Sequence, residues 1–114
     1  MPYEQHQEKQ YSKDSQTIYQ GALAVVEQLA GSLVSSTPAK LRLEVKFPKT
    51  MLGKTLGERT YLSCEVHPQG EGGLVVVDAY PLDAVERKLM FGARKGVTQT
   101  VVTWFMEHLD QKLA

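Results

Sequence analysis

Between Leu41 and Phe47 every second residue is apolar: Leu41, Leu43, Val45 and Phe47 alternate with Arg42, Glu44 and Lys46. A period of two predicts a strand with one buried and one wet face, and Pro48 ends it. The same alternation resumes from Arg59 to His67, with Leu62, Cys64 and Val66 on one side. Pro68 to Gly73 has turn composition, and Leu74 to Tyr80 is a β-rich run that puts Val75, Val77 and Ala79 inward when Asp78 faces water. A shorter strand, Leu33 to Thr37, leads into Thr37-Pro38-Ala39-Lys40, a turn with proline at its second position.

Two segments carry a helical period instead. Ile18, Ala22, Val25, Val26 and Leu29 recur at helical spacing behind the capable N-caps Ser12, Asp14 and Ser15, and Gly31 is placed to close the helix as C′. A last helix runs from about Gly96 to Leu113, with Val101, Phe105 and Leu109 central to its apolar face. Lys49 to Glu58, with Gly53 and Gly57, reads as a loop, and Pro81 to Lys95 as irregular chain with a short helical turn around Ala84 to Leu89. Residues 1–11 are polar and read as a flexible N-terminal tail, or at best an edge strand formed by the last few of them. Residues 12–114 then form a single α+β domain. It is a two-layer sandwich in the order helix, three- or four-stranded antiparallel sheet, helix, with both helices on one face of the sheet.

Composition narrows the class without choosing a partner. The 114 residues are 42% hydrophobic and 23% charged, as in one globular domain. Thirteen basic and thirteen acidic residues cancel, so net charge selects neither nucleic acid nor an acidic surface. Cys64 is the single cysteine, which excludes an internal disulfide. The first residues lack the apolar core of a secretory signal, and no apolar run approaches the roughly 20 residues that span a bilayer. The expectation is a cytoplasmic protein, with a peripheral membrane role left open.

Local charge says more. In a meander, the loop after Phe47 and the segment after Tyr80 lie at the same end of the sheet. The first offers Lys46, Lys49, Lys54 and Arg59 against Glu58; the second offers Arg87, Lys88, Arg94 and Lys95 against Asp83 and Glu86. The last helix starts at that end too, and basic residues there oppose its dipole unless an anion visits. Apolar residues share both loops: Met51, Leu52 and Leu56 in one, Leu89, Met90 and Phe91 in the other. Lys49, Lys54, Arg59, Arg87, Lys88, Arg94 and Lys95 are therefore the candidate anion- or partner-binding residues. An acidic protein, anionic lipid headgroups or a phosphate-bearing ligand would suit them. The plainer reading is that charged loops merely cap the open end of a core.

Several motifs carry less than they suggest. Lys49-Thr50-Met51-Leu52-Gly53-Lys54-Thr55 echoes the end of a phosphate-binding loop, but Pro48 stands where a glycine is needed and a strand follows. Cys64 and His67 are three apart on a strand and point to opposite faces. His108 sits at the flank of an apolar stripe with no serine, cysteine or second histidine nearby. Glu44, Glu65 and Asp78 share the open face with Arg42 and Lys46, where cross-strand ion pairing accounts for them. No catalytic constellation, metal set or cofactor motif emerges, which predicts a protein that is not an enzyme. Tyr61, Leu74, Val76 and Tyr80 also fall on the open face, as a partner or homodimer interface or as a patch covered by the N-terminal residues. The aromatic–basic signature of single-strand nucleic-acid binding is missing.

The run Asp78-Ala79-Tyr80-Pro81-Leu82-Asp83, leading into Phe91-Gly92-Ala93-Arg94-Lys95-Gly96 and the last helix, resembles small uncharacterised bacterial proteins, cyanobacterial ones among them. The helix–sheet–helix order is similar to that of Bet v1-like helix-grip proteins and of the small domains of BamC-type lipoproteins. The resemblance implies binding rather than catalysis and carries no site residue over. Two functions follow as expectations. One is an accessory or adaptor module docking on a protein complex or an anionic membrane surface through its basic–apolar end. The other is a small carrier holding an apolar ligand between sheet and helices, lined by Phe47, Trp104 and Phe105.

Overall fold

The computed structural model describes residues 3–89 and 96–114. In chain order the elements are β1 (Gln5–Tyr11), α1 (Ser15–Gln28), β2 (Ser32–Thr37), a 3-10 turn (Pro38–Lys40), β3 (Arg42–Phe47), β4 (Thr50–Met51), β5 (Lys54–Thr55), β6 (Arg59–Gln69), β7 (Gly72–Leu82) and α2 (Val97–Leu113). Five of the strands form one antiparallel sheet in the order β1-β7-β6-β3-β2. β4 and β5 pair separately as a short hairpin.

The period-two pattern does most of the folding. Leu43, Cys64 and Val77 line up across β3, β6 and β7, and Val45, Leu62 and Ala79 form the next row. All six are buried, and both helices pack on this face, giving the α+β sandwich that the sequence predicts, with five strands rather than three or four because residues 5–11 add β1 at one edge. Ile18, Tyr19, Ala22 and Val25 of α1 and Val101, Phe105 and Leu109 of α2 complete the core. Each buried ring or branched aliphatic contributes roughly 1.5–3 kcal/mol of transfer free energy. The helices approach closely at Gly21, where an added Cβ would lie 3.1 Å from the Leu113 side chain. Tyr19 is buried without losing its polar end: its hydroxyl donates to the Arg42 carbonyl at 3.1 Å and lies 2.6 Å from Ser36 Oγ.

Local details depart from the sequence reading. The β6–β7 hairpin is longer and its turn tighter than Pro68 to Gly73, because the ladder continues to Gln69↔Gly72. Residues 84–89 form no helical turn. Asp83 instead organises a tight turn that leads to an isolated pairing of Leu82 with Lys88. At the end of α1 the left-handed C′ residue is Ala30 (φ 59°), one position before the expected Gly31. The N–H groups of Ala30 and Gly31 donate to the carbonyls of Glu27 and Val26, the two bonds of a Schellman motif. Glycine is needed at position 31 for space: a Cβ there would lie 2.6 Å from Val45 Cγ2 and 2.8 Å from Phe47 Cε1.

Residues 5–11 pair along their whole length with β7, from Gln5↔Ala79 to Tyr11↔Gly73. The strand extends beyond the last few residues of the polar segment. It has little apolar alternation because its anchors are polar. Tyr11 Oη and Lys9 Nζ donate to Asp110 Oδ1 of α2 at 2.6 and 2.8 Å, and these bonds hold the Asp110 carboxyl below the usual range. On the open face His6 lies 2.6 Å from Asp78 and 2.8 Å from Glu8. Hydrogen bonds to Asp78 and then Glu8 raise its pKa above the ordinary 6.5.

Two predictions follow from these contacts. Ala30→Gly relieves left-handed strain and is expected to raise stability by about 1 kcal/mol, whereas Gly31→Ala lowers it by roughly 1–3 kcal/mol; urea unfolding of both variants checks the order. Because the folded pKa of His6 is raised, its contribution is full below pH 6.5 and is lost as pH rises through the folded value. His6→Gln is therefore expected to flatten the pH dependence of stability across that interval, measured by urea unfolding over a pH series.

Candidate functional site

Two loops meet at one end of the sheet. The first, after β3, turns through Leu52 (φ 51°) and Gly53 (φ 78°), the paired positive φ values of a type I′ hairpin turn. Its base is closed by the N–H groups of Leu56 and Gly57, which donate to the Lys49 carbonyl at 2.6 and 3.3 Å. Met51 is buried beneath it and Leu56 packs against the core. No helix follows Thr55, so this segment has none of the geometry of a nucleotide-binding loop.

The second loop leaves β7 at Leu82 and turns back. Asp83 Oδ1 accepts from the N–H groups of Val85 and Arg87 at 3.0 and 2.8 Å, and the Asp83 N–H donates to the Arg87 carbonyl at 2.7 Å. Glu86, with φ 63°, is thereby placed 3.4 Å from Lys46 Nζ and 3.8 Å from Arg59.

Between the loops lies an open cleft of about 310 Å³, lined by Lys49, Arg59, Glu58 and Asp83 and by the apolar Leu82, Ala84 and Leu89. Arg59 also borders a neighbouring depression of about 320 Å³ that includes Lys46 and Glu86. Leu52 and Val85, 53% and 66% exposed, belong to the same two loops.

The candidate basic residues do not form one patch. Lys49 and Arg59 share the cleft. Arg87 projects from the turn, its side chain 79% exposed and 3.8 Å from Asp83. Lys88 turns to the open face of the sheet, where it pairs with Glu4 and lies 5.1 Å from the centre of the Tyr80 ring. Lys54 turns to α2 and lies 6.0 Å from the Trp104 ring centre. Arg94 and Lys95 lie outside the described residues. What the sequence reading missed is Glu4 as a counter-ion and the pairing of Glu86 with Lys46 and Arg59 across the two loops. Their positions depend on a turn and on a strand that no periodicity marks.

The three aromatic residues considered for an internal pocket also separate. Phe47 and Phe105 are fully buried and meet edge to face with centroids 6.5 Å apart, so they fill the space between sheet and α2. Trp104 is half-buried at the margin of the core, under Lys54.

The open sheet face is a network of paired groups. Glu44 accepts hydrogen bonds from Ser35 Oγ at 2.6 Å, from the Tyr61 hydroxyl and from Arg42 at 3.1 Å. The bonds from Ser35 and Tyr61, with the Arg42 charge, hold its carboxyl below the usual range. Arg42 also donates to Glu65 at 2.7 Å, and His67 lies 3.1 Å from Glu65. Burial and then Glu44 raise the Tyr61 phenol. Tyr61 and Tyr80 stack with centroids 4.6 Å apart, so each ring spends one face on the other, and Leu74 and Val76 are half-buried. Cys64 is enclosed, and burial pushes its thiol up to about 12, which makes it inert. His108 Nδ1 donates to the Trp104 carbonyl one helical turn earlier. Among the described residues, no group of three or more His, Cys, Asp or Glu side chains is placed to hold a metal ion. No helix among them is long and apolar enough to cross a membrane.

Comparison with protein-family models and with curated proteins finds no match. Solved structures do match. Protein CV1439 from Chromobacterium violaceum superposes with a TM-score of 0.60 at 10% identity, over 100% of this chain and 96% of that one. Ara h 8.0201, a Bet v1-like protein, gives 0.60 at 8% identity over 97% of both chains. CalU16 from Micromonospora echinospora gives 0.63 at 9% identity, over 96% of this chain and 71% of that one. At such identities the likeness is one of fold alone: the chain is an α+β sandwich of one large antiparallel sheet and two helices.

Proposed function

We propose that this protein is a non-enzymatic binding module whose loop end docks an acidic, partly apolar segment of a partner protein. The observation that carries the reading is the cleft between the two loops. There Lys49 and Arg59 share the lining with Glu58 and Asp83 and with the apolar Leu82, Ala84 and Leu89. Anionic groups gain charge-assisted contacts with the two bases while an aliphatic side chain seats on the apolar residues. The exposed Leu52 and Val85 add apolar contact on the same loops. Glu86 already occupies the anion position between Lys46 and Arg59, so an incoming carboxylate competes with it. Supporting a non-catalytic role, the acids and bases of the open face neutralise one another in ion pairs rather than converging in a cleft.

The second reading, a carrier of an apolar ligand between sheet and helices, draws on the Bet v1-like architecture. Against it stands the ring-to-ring contact of Phe47 with Phe105 in the interior where that ligand would sit.

The test is capture from native lysate at low and moderate salt, followed by affinity measurement with the protein so identified. A Lys49→Gln/Arg59→Gln/Arg87→Gln variant that remains folded by circular dichroism is expected to lose a salt-sensitive partner. Glu86→Gln is expected to tighten binding about two- to fivefold by freeing Lys46 and Arg59. An identical partner set for wild type and triple variant would overturn the loop-end reading. An apolar molecule that co-purifies and is displaced by Phe105→Trp would favour the carrier instead.

A further inference from the structure

The exposed large aliphatic side chains among the described residues fall in two places: Leu52 and Val85 at the loop end, and Leu33 and Val34 side by side in β2. The second pair lies on an edge of the sheet. Natural sheets guard their edges, because an unpaired row of N–H and C=O groups is a template for another strand. The two edges here are guarded differently. β1 carries Glu8 and Lys9, both engaged in ion pairs. β2 is Ser-Leu-Val-Ser-Ser-Thr, six residues with neither charge nor proline. Its one irregularity is a bulge between Leu33 and Ser35, at Val34, whose side chain is 51% exposed. Beside β2, α1 supplies an apolar shoulder: Tyr19 reaches Ser36, and Leu23 one turn later is half-buried.

We infer that β2 is a self-association edge, on which a second copy of this chain pairs antiparallel, β2 against β2, about a two-fold axis perpendicular to the sheet. A strand meeting itself antiparallel is penalised when like charges fall opposite one another, and β2 has no charge to oppose. With the axis through Ser35, positions 34 and 36 fall opposite each other, and the bulge at Val34, which puts Leu33 and Thr37 on different faces of the sheet, limits the ladder to the residues next to the axis. The interface is isologous and closes as a dimer rather than extending as a fibre. Edge pairing alone buries less than the roughly 800 Å² per partner of a standard interface, so the association is weak and depends on concentration. The antiparallel arrangement points the two loop ends in opposite directions and leaves both clefts open. An uncharged interface is also indifferent to salt, unlike the loop end, so failure of either proposal is recognisable without the other.

Sedimentation velocity over a wide range of protein concentration, at low and high salt, tests the inference. Wild type is expected to pass from monomer to dimer equally at both salts. Val34→Lys, at an exposed position, is expected to stay monomeric with an unchanged circular dichroism spectrum, and Leu52→Lys at the loop end to dimerise like wild type. Hydrogen exchange of wild type is expected to show β2 amides gaining protection as concentration rises. A wild type that stays monomeric, a dimer retained by Val34→Lys, a dimer lost in Leu52→Lys, or protection rising elsewhere but not in β2 would overturn it.

Discussion

The rows Leu43–Cys64–Val77 and Val45–Leu62–Ala79 cross three neighbouring strands and present one continuous apolar surface. That surface must leave water, and α1 and α2 are the only long apolar faces among the described elements able to cover it. Register follows directly, since a slip of one residue in any of the three strands would expose its whole apolar set. The constraint also decides what the other face becomes. Arg42, Glu44, Lys46, Tyr61 and Glu65 are obliged to point outward, and they meet at cross-strand distances where opposite charges and hydroxyls pair.

A consequence is that the charged groups of the open face have partners, while apolar exposure gathers where the alternating pattern stops. Leu52 and Val85 lie in loops held by hydrogen bonds of their own, the type I′ turn at Leu52–Gly53 and the Asp83-centred turn. Leu33 and Val34 lie in β2, whose short and bulged pairing leaves it outside the full cover of α1. Two surfaces of different character result. One sets charged side chains of both signs beside apolar ones; the other is uncharged main chain.

The alternation of β3, β6 and β7 and the apolar stripes of both helices were legible in the sequence, because burial of one face imposes a regular period. β1 was only partly legible. Its contribution is a backbone ladder with β7 and polar ties from Lys9 and Tyr11 to Asp110, ninety-nine positions beyond Tyr11, and local composition does not report contacts of that range. Gly31 was read as a conformational signal when its role is steric, which only the approach of Val45 and Phe47 reveals. Topology alone brought the two loops to the same end. It did not reveal that Lys88 and Lys54 turn away, toward Tyr80 and Trp104, because side-chain direction in a loop depends on the turn that holds it.

The loop end, the interior and the open sheet face are the three surfaces on which the proposed binding must be located. Amide chemical-shift mapping during titration with a short acidic peptide containing leucine, with a fatty acid as the parallel probe, separates them. Binding at the loop end is expected to give salt-sensitive shifts with the peptide, confined to Lys49, Gly57 to Arg59 and Leu82 to Leu89, and no response to the fatty acid. Shifts centred on Phe47 and Phe105 with the fatty acid, or on Tyr61 and Tyr80 with the peptide, would contradict it.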